Sequence, residues 1–243
     1  MRLIRLQKFL AEAGACSRRK GEKHILAGEV TVNGKVVTAL GTKVDPSTDT
    51  VRLKGVPVEP SDRLVYVMLN KPTGIVTSCN HRGEPVVTDL VDLPQRLFPV
   101  GRLDKDSTGL LLLTNDGRIH HRLSHPSFDH EKEYDVTVQR PIDDASLKAL
   151  REGVRLSGVM TRRARVRRIS EKRFRIVLKE GRNRQIRRMV ESVGNRVTRL
   201  HRIRVADVRL GRLAQGAWRH LSEQEARQLL RRLKLEPDPG RPV

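Results

Sequence analysis

The chain has 243 residues, with 49 lysines and arginines against 28 acidic residues and a net charge of +21. Such an excess predicts a polyanionic partner, because each phosphate that is neutralised releases counterions. Neither a long apolar run nor a signal peptide is recognised, so a membrane partner is not expected. Aromatic residues make up only 3% of the chain, which excludes recognition through many stacked bases.

The positive charge is concentrated in one segment. Residues 161–204 hold 17 lysines and arginines and three glutamates, a net +14. Arginine dominates, and its planar guanidinium is the side chain that binds phosphate in a bidentate manner. The segment therefore indicates binding to RNA or DNA. The two cysteines, Cys16 and Cys79, have the spacing of neither a disulfide framework nor a zinc finger, so we expect a cytoplasmic protein.

The first 60 residues predict two short helices and a small sheet. Apolar residues recur at helical spacing over 4–13, and Ser17 is a good N-cap for a second helix that closes at Gly28. The stretch VTVNGKVV predicts a hairpin, because Asn-Gly supplies the positive φ angles of a type I′ turn. One more strand near 50–53 completes a compact unit.

Residues 5–35, RLQKFLAEAGACSRRKGEKHILAGEVTVNGK, resemble the S4 RNA-binding domain. The resemblance implies that the helix pair docks on structured RNA. The residues expected to contact RNA are Arg5, Ser17, Arg18, Arg19 and Lys20. The alternative is a helical cap whose basic residues are merely exposed.

The remaining chain predicts a larger α+β domain. Its expected strands are at 64–78 (interrupted by Pro72 and Gly74), 86–91, 97–100, 109–114, 134–138, 159–166 and 174–178. Its expected helices are at 118–124, 143–152, 183–193 and 223–233. We therefore predict an S4-like domain at 1–61, a catalytic domain at 62–236 with a mostly antiparallel or mixed sheet flanked by helices, and a disordered tail at 237–243.

One segment of this domain carries candidate chemistry: GRLDKDSTGLLLLTNDG, residues 101–117. Asp116 lies in an Asn-Asp-Gly turn and is predicted to be structural. Asp106 and Ser107 look like loop and capping groups. Asp104 precedes a loop that leads into a buried strand, so its carboxylate is expected in a partly desolvated cleft. Desolvation alone would neutralise it, whereas a nearby guanidinium would keep it anionic.

This segment resembles the nucleophile motif of the pseudouridine synthases of the Rsu/Rlu ribosomal type. Further motifs follow this family's pattern: NKPTG at 70–74, KEY at 132–134 and EGRNRQIRRM at 180–189. Among the subtypes, DHEKEY at 129–134 and GAWRHLSEQE at 216–225 are most similar to the F-type enzymes of the large ribosomal subunit.

The resemblance implies isomerisation of uridine in RNA without a cofactor or a metal. Asp104 matches the essential aspartate, acting either as the nucleophile on the sugar or as the base that enables glycal formation. Tyr134 matches the tyrosine that stacks on the uracil and aids proton transfer. Arg187 is expected to pair with Asp104, while Ile186 presses on the base.

Other residues are expected to contact the substrate: Arg102, Lys71, Pro72, Arg182, Arg184 and Arg188. Arg102 could either pair with the loop or contact a phosphate. The expected partner is ribosomal RNA, 23S rather than 16S, either naked or within a pre-ribosomal particle, and the expected state is a monomer.

Two rival functions stay open. A metal-dependent hydrolase could use the histidines that crowd at 120–130, namely His120, His121, His125 and His130. A non-catalytic S4-type protein could bind ribosomal RNA as an assembly factor. The joint presence of Asp104, Tyr134 and Arg187 favours the enzyme.

Overall fold

The computed structural model describes residues 3–59, 63–80, 83–124 and 128–236. The predicted disordered tail and His125 lie outside these residues. Across the described ranges, none of the helices has both the length and the apolar character that a bilayer span requires.

The N-terminal unit contains two helices and six short strands. In chain order they are β1 Ile4–Arg5, α1 Leu6–Glu12, α2 Arg18–Leu26, β2 Val30–Val32, β3 Lys35–Val36, β4 Lys43–Val44, β5 Val51–Leu53 and β6 Val56–Pro57. Strands β3, β2, β5 and β6 form one antiparallel sheet, and β1 pairs with β4.

The local signals in this unit act as predicted. The Ser17 hydroxyl accepts a hydrogen bond from the Lys20 backbone N–H at 3.2 Å and so caps α2. The hairpin turns through Asn33 and Gly34, whose φ angles are 50° and 79°. The two helices pack on the sheet through a separate apolar core in which Leu6 and other side chains are fully buried.

The C-terminal unit is built on one large sheet. Its elements are β7 Tyr66–Lys71, a 3₁₀ helix Val87–Leu90, β8 Phe98–Val100, β9 Thr108–Thr114, α3 Gly117–Ser124, β10 Lys132–Val138, α4 Asp144–Glu152, β11 Arg155–Leu156, β12 Val159–Met160, β13 Arg165–Ser170, β14 Arg173–Leu178, α5 Gln185–Ser192, β15 Val197–Val205, β16 Val208–Arg209, β17 Trp218–His220 and α6 Glu223–Arg232.

The sheet is mixed, as predicted. Its main path runs β13-β14-β10-β15-β9-β7-β17, with β16 beside β15 and β8 beside β9. The pair β9–β15 is parallel, and the other pairs of this sheet in the described chain are antiparallel. This parallel contact is short, with His201 opposite Thr108 and Arg202 opposite Gly109. It joins two halves of the sheet, β13-β14-β10-β15 and β9-β7-β17.

The half of the sheet that contains β7 and β9 is covered on both faces, and the other half on one. Helices α4 and α5 pack on β10, β14 and β15, and α3 and α6 pack on β7 and β9. A further apolar cluster lies on the other face of β7 and β9 beneath the 3₁₀ helix. One face of β13, β14 and β10 keeps many charged side chains at least partly exposed.

The sequence predictions for this unit were wrong or incomplete at several points, including the second half of the 64–78 segment, where Val76 forms only an isolated bridge. Residues 87–90 form a 3₁₀ helix rather than a strand, since Asp89 accepts from the Val86 N–H at 2.9 Å and closes a tight turn. The strand expected over 159–166 divides into the end of a small hairpin and the start of β13. Strand β15, the longest in the chain's described part, was not predicted at all.

Candidate active site

A cleft of about 360 Å³ opens where the two halves of the sheet meet, which is within the size range of small-molecule sites. Residues from both halves line it. They include Arg102, Leu103, Asp104, Lys132, Tyr134, Arg182, Arg184, Ile186, Leu200 and Arg202. Asp104 and Tyr134, far apart in sequence, therefore share one cavity.

The Asp104 carboxylate lies on a tight turn in the cleft wall. The Asp104 carbonyl accepts from the Ser107 N–H at 3.0 Å, which closes the turn. The residue before it, Leu103, is buried and exchanges hydrogen bonds with the Thr77 hydroxyl at 2.6 and 3.2 Å. The Asp104 side chain is 33% exposed. A rigid backbone thus presents a carboxylate that a bound nucleoside can reach.

Lys71 was predicted to line the cleft, but it is buried behind the Asp104 turn and supports it. Its side chain is fully buried, and Nζ donates to the carbonyls of Pro72 and Ser107, both at 2.9 Å, and of Lys105 at 3.3 Å. Burial lowers the pKa of Lys71 to about 8, although the charges of Asp106 and Asp104 oppose this shift. Pro72 likewise lies outside the cleft lining. Strand β7 ends at Lys71 beneath this turn, so the Lys71 ammonium group can donate to the nearby backbone carbonyls.

For the RNA-modifying activity that the sequence predicts, replacing Lys71 with methionine should damage catalysis more than RNA binding. Methionine keeps most of the volume but leaves three carbonyls without their donor, at a cost of about 1–3 kcal/mol. We expect kcat to fall about 10-fold or more while the KM for RNA changes little. Single-turnover rates and thermal melts of both proteins measure the two effects. An unchanged kcat would show that the turn keeps its geometry without Lys71.

The arginine beside Asp104 is Arg184 and not the predicted Arg187. Arg184 Nη1 lies 3.9 Å from Asp104 and 3.4 Å from Asp106. Arg187 is buried and pairs with Asp106 at 3.2 Å, while it also donates to the carbonyls of Asp106 and Val197. The reason is that α5 begins at Gln185: Arg184 adopts a left-handed conformation before the helix, and Arg187 turns inward beneath the loop.

Tyr134 and Ile186 lie as the sequence predicts, in the same cleft. Tyr134 comes from β10 and packs against the apolar clusters of both sheet halves. Ile186 is buried at the start of α5. An aromatic ring and an aliphatic side chain in one cavity can hold a flat base between them.

The other arginines expected to bind phosphate are partly engaged within the protein. Arg182 lines the cleft but donates to the carbonyls of Val159 and Met160 at 3.2 and 2.7 Å and pairs with Glu180. Arg188 donates to the Ser157 hydroxyl. Arg102 is exposed at the cleft. These contacts leave Arg102 as the cleft arginine best placed for a phosphate.

Sequence reasoning missed two cations of the cleft, Arg202 and Lys132. Arg202 is buried and donates to the carbonyls of Leu110 at 2.8 Å and Arg102 at 3.1 Å, so it ties β15 to the segment that carries Asp104. Burial lowers the pKa of Lys132, and the Arg202 charge lowers it further. The apolar residues Val197, Leu200, Ile203 and Val205 could have indicated the strand, but nothing in the local sequence indicates the burial of Arg202.

Asp116 is structural, as predicted, but its role exceeds that of a turn residue. It is buried, accepts from the Tyr66 hydroxyl at 2.9 Å and pairs with Arg118 at 2.8 Å. It also accepts from the Arg118 N–H at 3.0 Å at the start of α3. This carboxylate fixes the end of β9 and the helix that follows.

Two of the four crowded histidines contact aromatic rings. In the described ranges, which omit His125, no three histidine, cysteine or acidic side chains cluster as metal ligands would. His120 stacks edge-on against Phe98, and His130 stacks on Phe128. Both cysteines are free thiols.

The basic residues predicted to contact RNA lie on the surface of the N-terminal unit. Arg5, Arg18, Arg19 and Lys20 are exposed, the last three in the first turn of α2. A Cβ atom built on Gly117 would lie 3.6 Å from Arg18 Nη2. The basic helix start therefore lies next to α3 of the larger unit.

Comparison with known protein families gives two matches. Residues 65–192 match the family described as RNA pseudouridylate synthase, and residues 4–51 match the S4 domain. The first match covers more than half of the chain and includes Asp104, Tyr134 and Arg187.

Individual proteins are similar over nearly the whole length. The dual-specificity RNA pseudouridine synthase RluF of Escherichia coli O6:H1 is 40% identical over 98% of this chain and 82% of its own. Ribosomal large subunit pseudouridine synthase B of Bacillus subtilis is 42% identical over 93% and 95%. A crystal structure of a pseudouridylate synthase superposes with a TM-score of 0.69 at 33% identity, over 93% of this chain and 99% of that one.

Proposed function

Because this chain belongs to the RNA pseudouridylate synthase family and carries an S4 domain, we propose that it converts one uridine of large-subunit ribosomal RNA to pseudouridine, with Asp104 as the catalytic carboxylate. The observation that carries the proposal is the single cleft shared by Asp104 and Tyr134. Relatives named for the large ribosomal subunit support the choice of 23S over 16S RNA.

The reaction needs few groups. The N1–C1′ bond of uridine breaks, the uracil turns, C5 bonds to C1′, the C5 proton leaves and N1 ends protonated. Atoms and electrons balance without a cofactor. Asp104 either attacks C1′ or removes a sugar proton to form a glycal, and Tyr134 with Ile186 holds the detached base. Water must be kept out, since it would hydrolyse the intermediate.

The arginines take separate roles in this proposal. Arg184 supplies positive charge beside the Asp104 carboxylate. Arg187 is a positioning residue, because it holds Asp106 and the Ser107 hydroxyl, which form the same turn. Arg102 binds a phosphate next to the flipped nucleotide.

The test of the function uses unmodified transcripts of both ribosomal RNAs. Each is incubated with the protein, with and without EDTA, and pseudouridine is mapped along both. We expect one new pseudouridine, in the large-subunit RNA, formed equally well with EDTA. Product in neither RNA would refute the function, product in 16S RNA alone would refute the substrate, and loss of product with EDTA would revive a metal-dependent reaction.

Salt should weaken RNA binding more than it slows the chemical step. The target base must leave its stack at a cost of a few kcal/mol, and phosphate contacts supply that energy. We expect the KM for RNA to rise by at least about 10-fold between 50 and 200 mM salt, while kcat at saturating RNA changes less than about 3-fold. Steady-state kinetics at several salt concentrations measure both. A KM insensitive to salt would contradict the electrostatic account.

The proposal also includes the domain bounds, the oligomeric state and the cellular location. We place the S4-like domain at 1–61 and the catalytic domain at 62–236, and we propose a monomer that acts in the cytoplasm. The free thiols fit a reducing compartment. Activity on naked transcript compared with isolated pre-ribosomal particles identifies the physiological form of the substrate.

A further inference from the structure

Most of the excess positive charge lies outside the cleft. Strand alternation sends Tyr134, Ile176 and Arg202 toward the cleft side of the sheet and their neighbours to the opposite side. On that opposite side lie seven arginines against three carboxylates. The arginines are Arg165, Arg167, Arg173, Arg175, Arg199, Arg204 and Arg209, and the carboxylates are Glu131, Glu133 and Asp135; together they are called the outer arginine face.

The registers place these side chains in regular rows. One row runs Arg165, Val177, Glu133, Arg204 and Arg209 across five strands. Adjacent strands are about 4.8 Å apart, so this row is about 19 Å long. A second row runs Arg167, Arg175, Asp135 and His201 across four strands, and a third includes Arg173, Thr137 and Arg199. The face has room for several successive phosphates.

Ion pairs fix four of these arginines, and within the described residues the other three have no partner. Glu131 pairs with Arg165 at 2.6 Å and with Arg204 at 3.1 Å, and Asp135 pairs with Arg173 at 2.6 Å and more distantly with Arg175 at 3.8 Å. In the part of the chain that the structure describes, no ion pair or hydrogen bond of the side chain is found for Arg167, Arg199 or Arg209. All three are exposed.

We propose that the outer arginine face binds the phosphate backbone of a second segment of the same RNA, away from the target uridine. This inference rests on RNA being the substrate. The rows hold no aromatic ring apart from the His201 imidazole, and the nearest exposed large apolar residue, Ile169 of β13, is only 38% exposed, so the face offers few of the apolar anchors of a protein–protein interface. Guanidinium groups without stacking rings bind phosphates irrespective of sequence.

The cleft and the outer arginine face then have separate roles in RNA recognition. The cleft reads the flipped nucleotide, whereas the outer arginine face adds affinity that depends on the length of the RNA. A short stem-loop that fills the cleft cannot also reach the opposite side of the sheet. Long ribosomal RNA, which folds into many neighbouring segments, can contact both.

The test removes the three unpaired charges together, as Arg167→Gln, Arg199→Gln and Arg209→Gln. The control variant carries Lys148→Gln, Arg231→Gln and Lys234→Gln, which are exposed residues outside the face. Dissociation constants are measured for full-length large-subunit transcript and for a stem-loop of about 20 nucleotides, at several salt concentrations. For full-length RNA we expect the face variant to bind about 10-fold more weakly, with a salt slope smaller by about 3.

The stem-loop should bind the face variant as tightly as it binds wild type, and kcat on saturating RNA should be unchanged. Equal affinity of the face variant and wild type for long RNA would overturn the proposal, as would an equal loss in the control variant. Unchanged RNA binding combined with lost binding to ribosomal particles would assign the face to a protein and also overturn it. Because binding is measured without turnover, failure of the proposed catalytic function would be seen separately, as wild type that binds RNA but forms no pseudouridine.

Discussion

Asp104→Asn should abolish pseudouridine formation while leaving RNA binding intact. Asparagine keeps the size of the side chain and can still accept a hydrogen bond, but it can neither attack C1′ nor remove a proton. We expect kcat to fall by at least about 10³-fold and the dissociation constant for RNA to change less than about 3-fold. Release of tritium from RNA labelled at uridine C5 measures the reaction, since that proton leaves during isomerisation.

The matched control is Asp106→Asn, two residues away on the same turn. Asp106 has the closer arginine contacts, with Arg187 at 3.2 Å and Arg184 at 3.4 Å, yet it is not among the residues that line the cleft. We expect about a 10-fold fall in kcat from a less well-held turn. If Asp106→Asn were inactive and Asp104→Asn active, the catalytic carboxylate would be Asp106. If both variants were active, neither carboxylate would be essential.

Gly109→Ala should be among the most destabilising single substitutions in the chain. Gly109 has a φ of +106°, and a Cβ added there would lie 2.3 Å from the Arg202 carbonyl oxygen and 2.6 Å from its nitrogen. Both are backbone atoms of the adjacent strand and cannot move aside cheaply. Backbone strain and overpacking together cost roughly 3–5 kcal/mol. Chemical denaturation of both proteins measures the change in the free energy of unfolding.

The control for Gly109→Ala is Gly211→Ala, which separates strain from collision. Gly211 has a φ of +62°, but apart from its chain neighbours no heavy atom of the described residues lies within 4 Å of the added Cβ. We expect a loss of about 1 kcal/mol from the left-handed backbone alone. Equal losses for the two variants would show that the contact with β15 relaxes, and that the parallel pair tolerates a side chain.

The sequence predicted the elements that carry their own start and stop signals. Ser17 begins α2 and Asn33-Gly34 turns the hairpin because these residues act locally, within three positions. Strand β15 was missed because its arginines interrupt the apolar pattern to which residues such as Leu200 contribute. Burial of Arg202 depends on carbonyls 92 and 100 residues away. Such long-range acceptors leave no trace in the local sequence.

The sequence predicted which residues lie in the candidate site, but not which arginine lies beside Asp104. The motifs identified Asp104, Tyr134 and Ile186, which the structure brings to one cleft. The resemblance gave the place beside Asp104 to Arg187, whereas α5 begins at Gln185 and leaves Arg184, the residue just before the helix, next to Asp104. Helix ends are set by contacts with the rest of the fold, so a sequence pattern places them only approximately.

The parallel contact of β9 and β15 also sets the order in which the protein can become active during synthesis. Thr108 and His201 are 93 positions apart, yet they hydrogen-bond side by side at 2.8 Å. A nascent chain carries Asp104 and Tyr134 long before β15 leaves the ribosome, but it has no strand to join them. Pairings over such distances form late and slowly. The basic N-terminal helices emerge first, so under the proposed function a growing chain binds RNA before it can modify it.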